Sequence, residues 1–147
     1  MTTPRDPDFE RRVRDSFLRQ KFMATLGATL DVVRAGEVHI GVTHREALVQ
    51  QHGYLHAGVL ASVADSACGY AALSLMEPGV GVLSIEFKIN MLAPAAGSSF
   101  VAIGRVVRSG RTITVCAGEV RAEEGTSPVA MMQATMMAVR DRKGVSD

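Results

Sequence analysis

A single carboxylate, Asp65, stands in the middle of the apolar run GYLHAGVLASVADSACGYAALSLM, residues 53–76. An ionised carboxylate buried without partners is costly, so such a group shifts its pKa or is hydrogen-bonded. Carboxylates held in that way serve as general bases or nucleophiles. Read as a helix, the run sets Ala61, Ser62, Cys68, Gly69 and Ala72 on the face of Asp65, at spacings of three, four and seven. All are small, which leaves room beside the carboxylate. Glycine inside a helix costs about 1 kcal/mol relative to alanine, so Gly58 and Gly69 predict that a backbone or a ligand approaches this helix closely. The alternative is a structural aspartate satisfied by the hydroxyl of Ser62 or Ser66. The residues alone weigh these two about equally.

A second chemical feature lies at the start of the run. First-turn amides of a helix have no intrahelical acceptor and carry the positive end of the dipole, and Ala57 and Gly58 supply them here. An N–H aimed at a developing oxyanion is worth about 10²- to 10³-fold in rate. Ala57 and Asp65 are eight residues apart, about 12 Å along one helix. A donor and a base serving one carbonyl must each lie about 3 Å from the reacting atoms, so one helix cannot supply both. The donor would come from a second copy across a two-fold axis, which predicts a homodimer with two equivalent sites at its interface.

Other chemistries lack their residues. His52 and His56 are four apart without a third ligand or an HExxH pattern, so no metal is expected. No G-x-S-x-G occurs, which argues against a serine esterase. Cys68 and Cys116 lie 48 positions apart with no CxxC spacing and read as reduced core residues.

The elements that must position Asp65 follow from periodicity. The chain has 147 residues, 47% of them hydrophobic, enough for one domain with a core. Sixteen basic against fifteen acidic side chains leave a formal charge of +1, which gives no reason to expect nucleic acid or an anionic membrane as partner. The start, MTTPRDPDFERRVRD, has no apolar stretch behind its charges, so a cytoplasmic location is expected. A membrane span over 53–76 has only length in its favour, because a central aspartate costs about 2.5 to 3.5 kcal/mol on insertion.

Asp6 as N-cap and Pro7 at the first helical position, then Phe9, Val13 and Phe17, predict an amphipathic leading helix that runs to Gly27. Leu30 and Val32, then Val38, Ile40 and Val42, alternate about a turn at Ala35-Gly36 and predict a hairpin. In VLSIEFKINM, Leu83, Ile85, Phe87, Ile89 and Met91 fall on one face, which wants a core, with Ser84 on the other. Strands over about 98–108 and 111–122 meet at a two-residue turn, Ser109-Gly110, and a last strand covers about 129–140. Met131, Met132, Met136 and Met137 fall on both faces of that last strand, suited either to subunit packing or to filling core gaps. The order predicts an α+β fold: an antiparallel sheet of about five to six strands around one long central helix, preceded by an N-terminal helix.

GYLHAGVLASVADSACGYAA, followed by GVLSIEFKINMLAPAAG and GRVVRSGRTITVCAGEV, resembles the hotdog-fold acyl-CoA thioesterases of the phenylacetate-pathway type, over residues 28–140. The resemblance implies an N-terminal helix over 1–27, a hotdog domain over 28–140 and a tail over 141–147. It implies hydrolysis of acyl-CoA, of medium or long chain, without cofactor or metal, by homodimers that pair into homotetramers. Asp65 corresponds to the general base or nucleophile, and the Ala57 N–H, with His56 and Gln50, to the carbonyl-polarising group. Ala57 replaces the motif's first glycine, which narrows the space for the carbonyl. Ser84 matches a hydroxyl that places the attacking water, although its alternation sets it opposite Leu83 and Ile85. Gly58, Ser62 and Gln51 fall in the substrate-binding region, and Arg108 and Arg111, beside the hairpin turn, near the nucleotide end of coenzyme A. A non-catalytic acyl-CoA-binding module and a hotdog dehydratase are the rival readings.

Overall fold

The computed structural model describes residues 3–147; residues 1 and 2, where the predicted leading segment starts, lie outside the described residues. In chain order the elements are α1 (Phe9–Arg19), α2 (Lys21–Leu26), β1 (Thr29–Arg34), β2 (Glu37–Thr43), a 3-10 turn (Glu46–Leu48), α3 (Ala57–Leu73), β3 (Gly81–Met91), β4 (Ser99–Ser109), β5 (Ile113–Ala122) and β6 (Pro128–Val139). The strands form one antiparallel sheet in the order β1-β2-β4-β5-β6-β3. Helix α3 packs against β2 through β6, and the core lies between them: Val63, Ala67 and Leu73 of the helix meet the face that carries Ile40, Phe100, Ala102 and Val120. The α+β expectation holds, with six strands around one long helix.

Helix and sheet approach most closely at glycines of the sheet. A Cβ on Gly104 would meet the backbone carbonyl carbon of Ala67 at 2.3 Å, and one on Gly118 would meet the Cys68 sulfur at 3.0 Å. The sequence placed this close approach at Gly58 and Gly69, but a Cβ on Gly69 would have no neighbour within 4 Å, and one on Gly58 would meet only the His56 ring. Two backbones have little freedom to yield. Gly104→Ala is therefore expected to cost about 3 kcal/mol of stability or more, read as a lower denaturation midpoint at unchanged slope.

The leading helix departs from expectation in two ways. It starts at Phe9 rather than Pro7, and Asp6 is not its cap. The nearly buried Arg12 guanidinium needs a counter-charge, and Asp6 Oδ2 supplies it at 2.8 Å. Arg12 also donates to the carbonyls of Leu73, Met76 and Glu77, which fastens α1 to the end of α3. The helix then breaks at Gln20, an extended residue (φ −80°, ψ 93°) between α1 and α2. Gly27 ends α2 in the left-handed region, at φ 68°.

Strand β3 corrects the predicted alternation. A bulge between Ser84 and Glu86 inserts one residue, so Ser84 pairs with Met136 while Phe87, Ile89 and Met91 pair with Ala134, Met132 and Ala130. Directly opposed residues share a face, so Ser84 lies on the α3 side with Phe87, Ile89 and Met91, and Leu83 on the outer side. An extra residue reverses facing beyond it, which a strict period of two cannot register. This face is only partly covered: Phe87 and Met91 remain 46% and 42% exposed. The methionines of β6 divide, with Met132 and Met136 buried beneath α3 and Met131 exposed. The β4–β5 connection is longer than predicted, with residues 110–112 between the strands and the Gly110 N–H donating to the Ile113 carbonyl.

Candidate active site

Helix α3 begins at Ala57, later than the apolar run does, because residues 51–54 form a turn with Gly53 at φ 87°. His56 is the N-cap, and its Nδ1 accepts the Gly58 N–H at 2.8 Å. An imidazole that accepts at Nδ1 carries its proton on Nε2 when neutral, so Nε2–H remains to donate. The Val59 N–H donates to the His56 carbonyl. Gly58 and Val59 are thus satisfied within the chain, while the Ala57 N–H has no acceptor among the described residues. The oxyanion-type donor narrows from two amides to one.

Gln50 stands at the base of the preceding turn, where its backbone N–H donates to the Tyr54 carbonyl. Its side-chain oxygen accepts the His52 N–H, which leaves the amide NH₂ as donor. Gln50 and Ala57 border one groove of about 510 Å³, together with Leu60, Met91 and Leu92. Gln51 is exposed at the tip of the turn. Ser62 donates to the Gly58 carbonyl within its own helix, at 2.6 Å, and with His56 and Gly58 it borders a separate cleft under Phe22 and Leu26.

Asp65 lies two turns further along α3 and borders neither of these spaces. Its Oδ1 accepts the Ser84 hydroxyl at 2.7 Å, which the β3 bulge makes possible. Neither Ser62 nor Ser66 satisfies it, since Ser66 donates to Gln20 Oε1. No described residue hydrogen-bonds Oδ2, so a water or an electrophile has an oxygen to meet. Burial pushes the Asp65 carboxyl above its ordinary range, and the Ser84 hydroxyl works in the opposite direction by stabilising the anion. Ser84→Ala is therefore expected to raise this pKa further. If ionised Asp65 is the active form, the acid limb of the pH–kcat/KM profile moves to higher pH, and a limb that stays in place would separate Ser84 from Asp65 titration.

The cavity beside Asp65 measures about 300 Å³ and is walled by residues the sequence did not single out: Ser16, Arg19 and Gln20 of the leading segment, Tyr70 of α3 and Asp147. Tyr70 follows Asp65 by five on the same helix, about 140° around it, so the spacings of three, four and seven that share a face do not reach it. The others come from segments whose docking leaves no local pattern. Gly69 borders the cavity too, so its missing side chain opens space rather than admitting a neighbouring backbone. The wall of this cavity is mainly polar.

Arg108 and Arg111 are exposed near the β4–β5 hairpin tip, with no carboxylate in ion-pair range among the described residues. They border neither the Asp65 cavity nor the Ala57 groove. Cys68 and Cys116 are free and buried, and burial pushes both thiols up, Cys116 to about 12. Among the described residues no cluster of three His, Cys, Asp or Glu side chains could hold a metal ion. No described helix is long and apolar enough to cross a membrane.

The sequence and the fold match those of known proteins. The profile of the thioesterase superfamily matches residues 52–129, which contain the α3 and β3 residues described above. The crystal structure of a thioesterase family protein from Silicibacter pomeroyi is 49% identical, covers 89% of this chain and 98% of its own, and superposes with a TM-score of 0.86. The PaaI protein of the E. coli phenylacetic acid degradation operon has the same fold, with a TM-score of 0.83 at 19% identity over 90% of this chain and 94% of its own. A 1,4-dihydroxy-2-naphthoyl-CoA hydrolase of Listeria monocytogenes is 24% identical over 81% of this chain and 95% of its own. The chain spans 64% to 95% of the length of four curated relatives that it matches. With the profile spanning more than half of its residues and the hotdog architecture around α3, this chain belongs to the thioesterase superfamily, the thioester hydrolases.

Proposed function

We propose that the protein hydrolyses acyl-CoA thioesters to free acid and CoA, at sites shared between the two protomers of a homodimer. The observation that carries this reading is the Asp65 carboxylate, anchored through Oδ1 by Ser84, unpaired at Oδ2 and bordering a cavity. In the proposed reaction Oδ2 takes a proton from water as the water attacks the thioester carbon, or attacks that carbon itself. The carbonyl oxygen gains charge facing the Ala57 N–H of the second copy, with His56 Nε2–H and the Gln50 amide beside it. The tetrahedral intermediate then collapses, the C–S bond breaks, and the thiolate of CoA leaves and takes up a proton. Where Asp65 itself attacks, water then hydrolyses the resulting acyl anhydride, which releases the free acid and restores the carboxylate.

Two observations support a second copy. Ala57 and Asp65 border different spaces within one protomer. Strand β3 is an edge of the sheet, and around it Phe87, Met91 and Leu92 are 42% to 51% exposed; an apolar edge of this kind calls for a cover. Pairing of dimers into a tetramer is part of the same proposal. Arg108 and Arg111, free of carboxylate partners, would receive phosphates of CoA. The relative named as a naphthoyl-CoA hydrolase supports a CoA thioester as substrate.

Thiol release measured over a panel of acyl-CoAs tests the reading directly. Hydrolysis of at least some members, abolished by substitution of Asp65, is the expected result. Tight binding of acyl-CoA with no turnover of any member would instead make the protein a binding module. The wall beside Asp65 favours compact acyl groups over long alkyl chains in that panel.

A further inference from the structure

The Asp65 cavity ends at a carboxylate that the chain itself supplies. Ser16, 8% exposed, donates its hydroxyl to Asp147 Oδ1 at 2.5 Å. The Arg19 guanidinium reaches the same oxygen at 3.3 Å. Tyr70 borders this end as well, and beside it Gln20 accepts from Ser66 through Oε1, so its amide N–H groups stay free to donate. Hydroxyl, guanidinium and amide donors thus converge on a small space whose other end is the Asp65–Ser84 pair. Apolar lining comes from Val82, Met136 and the Tyr70 ring, and polar groups make up most of the wall. An alkyl terminus that displaced Asp147 would leave these donors unpaired against methylenes, which costs free energy, whereas a carboxylate would replace the lost acceptor.

We infer that Ser16, Arg19 and Tyr70 form a carboxylate-binding subsite, filled by Asp147 in the free protein, and that the acyl group cleaved at Asp65 carries a carboxylate at its far end. This inference rests on the proposed thioester hydrolysis for its reacting end. The substrate class is a short ω-carboxyacyl-CoA, whose terminal carboxylate displaces that of Asp147. Its length is limited by the cavity, about 300 Å³, a small space that suits short groups such as succinyl or glutaryl.

The test compares glutaryl-CoA with valeryl-CoA, which has a methyl group in place of the carboxylate. The expected ratio of their kcat/KM values is about tenfold or more in favour of glutaryl-CoA, the worth of one charge-assisted hydrogen bond. Arg19→Gln and Ser16→Ala should each reduce that ratio, whereas Arg11→Gln, whose guanidinium pairs with Asp8 at the surface and does not border the Asp65 cavity, should not. Asp147→Ala removes the internal competitor and should lower the KM for glutaryl-CoA. Hydrolysis of valeryl-CoA at an equal or higher kcat/KM, with the ratio indifferent to Arg19 and Ser16, would overturn the subsite and leave the proposed hydrolysis standing. Should no acyl-CoA release thiol, the proposed hydrolysis fails, and thermal shifts still decide the subsite. Stabilisation of the protein by free glutarate but not by valerate, lost in Arg19→Gln, would support it, and equal shifts would refute it.

Discussion

Asp65→Asn is expected to lower kcat by about 10²-fold or more, the loss that follows removal of a general base, and to raise the melting temperature at neutral pH. The amide keeps the shape of the carboxylate and an oxygen for the Ser84 hydroxyl, so the α3–β3 contact survives. What disappears is the proton acceptor. The stability gain has the opposite sign from the activity because burial raises the Asp65 pKa in the folded state. The folded protein then binds the proton more tightly than the unfolded chain, so stability falls as pH rises from the unfolded pKa to the folded one, and the deficit persists above it. Asparagine has no charge to desolvate, so the variant should melt above the parent at neutral pH and match it in acid. Near-normal kcat would remove Asp65 from the chemistry. Single-turnover hydrolysis in oxygen-18 water then separates the two routes for the parent enzyme, since only a covalent acyl intermediate places the label in the protein.

The second large effect is expected from Ala57→Pro. Proline at the first helical position is tolerated and removes one N–H, and it requires an extended residue before it. His56 already has φ −61° and ψ 139°, so the substitution deletes the proposed oxyanion donor while keeping the helix start. A loss of about 10²- to 10³-fold in kcat is expected, with little change in stability. If the donor and Asp65 come from different copies, the two inactive variants complement each other. Co-refolded in equal amounts, half of the dimers are mixed, and each mixed dimer has one intact site. The mixture should then recover about a quarter of parental activity. A mixture shown to have exchanged subunits yet no more active than its components would sink the shared site, and full activity in a monomer would do the same.

Long-period features were legible along the chain. The alternation of β1, β2, β4, β5 and β6 and the apolar length of α3 specify an antiparallel sheet around one helix, because periods of two and of 3.6 write burial into the sequence. The position of Asp65 within that helix marked it at once, since a charge in an apolar run has to be explained by chemistry or by a partner. The spacing of eight helical positions from Ala57 to Asp65 fixed their separation before any fold was known.

Other features depended on contacts between segments remote in sequence. Asp6 was read as a cap by its place before Pro7, but it serves the Arg12 charge that α1 brings against the end of α3. Glycines inside α3 were read as marking the approach of a backbone or a ligand; the backbone approach occurs instead at Gly104 of β4, and Gly69 borders the cavity. A single inserted residue at the β3 bulge turned Ser84 toward Asp65, and period-two counting has no term for an insertion. The polar wall of the cavity, from Ser16 to Asp147, is assembled from segments 131 residues apart. The sequence by itself determined the elements and the identity of the carboxylate, because local periodicity and the cost of a buried charge act within a single segment. Tertiary structure alone decided which oxygen of that carboxylate is free and what faces it, because those depend on how separate segments dock.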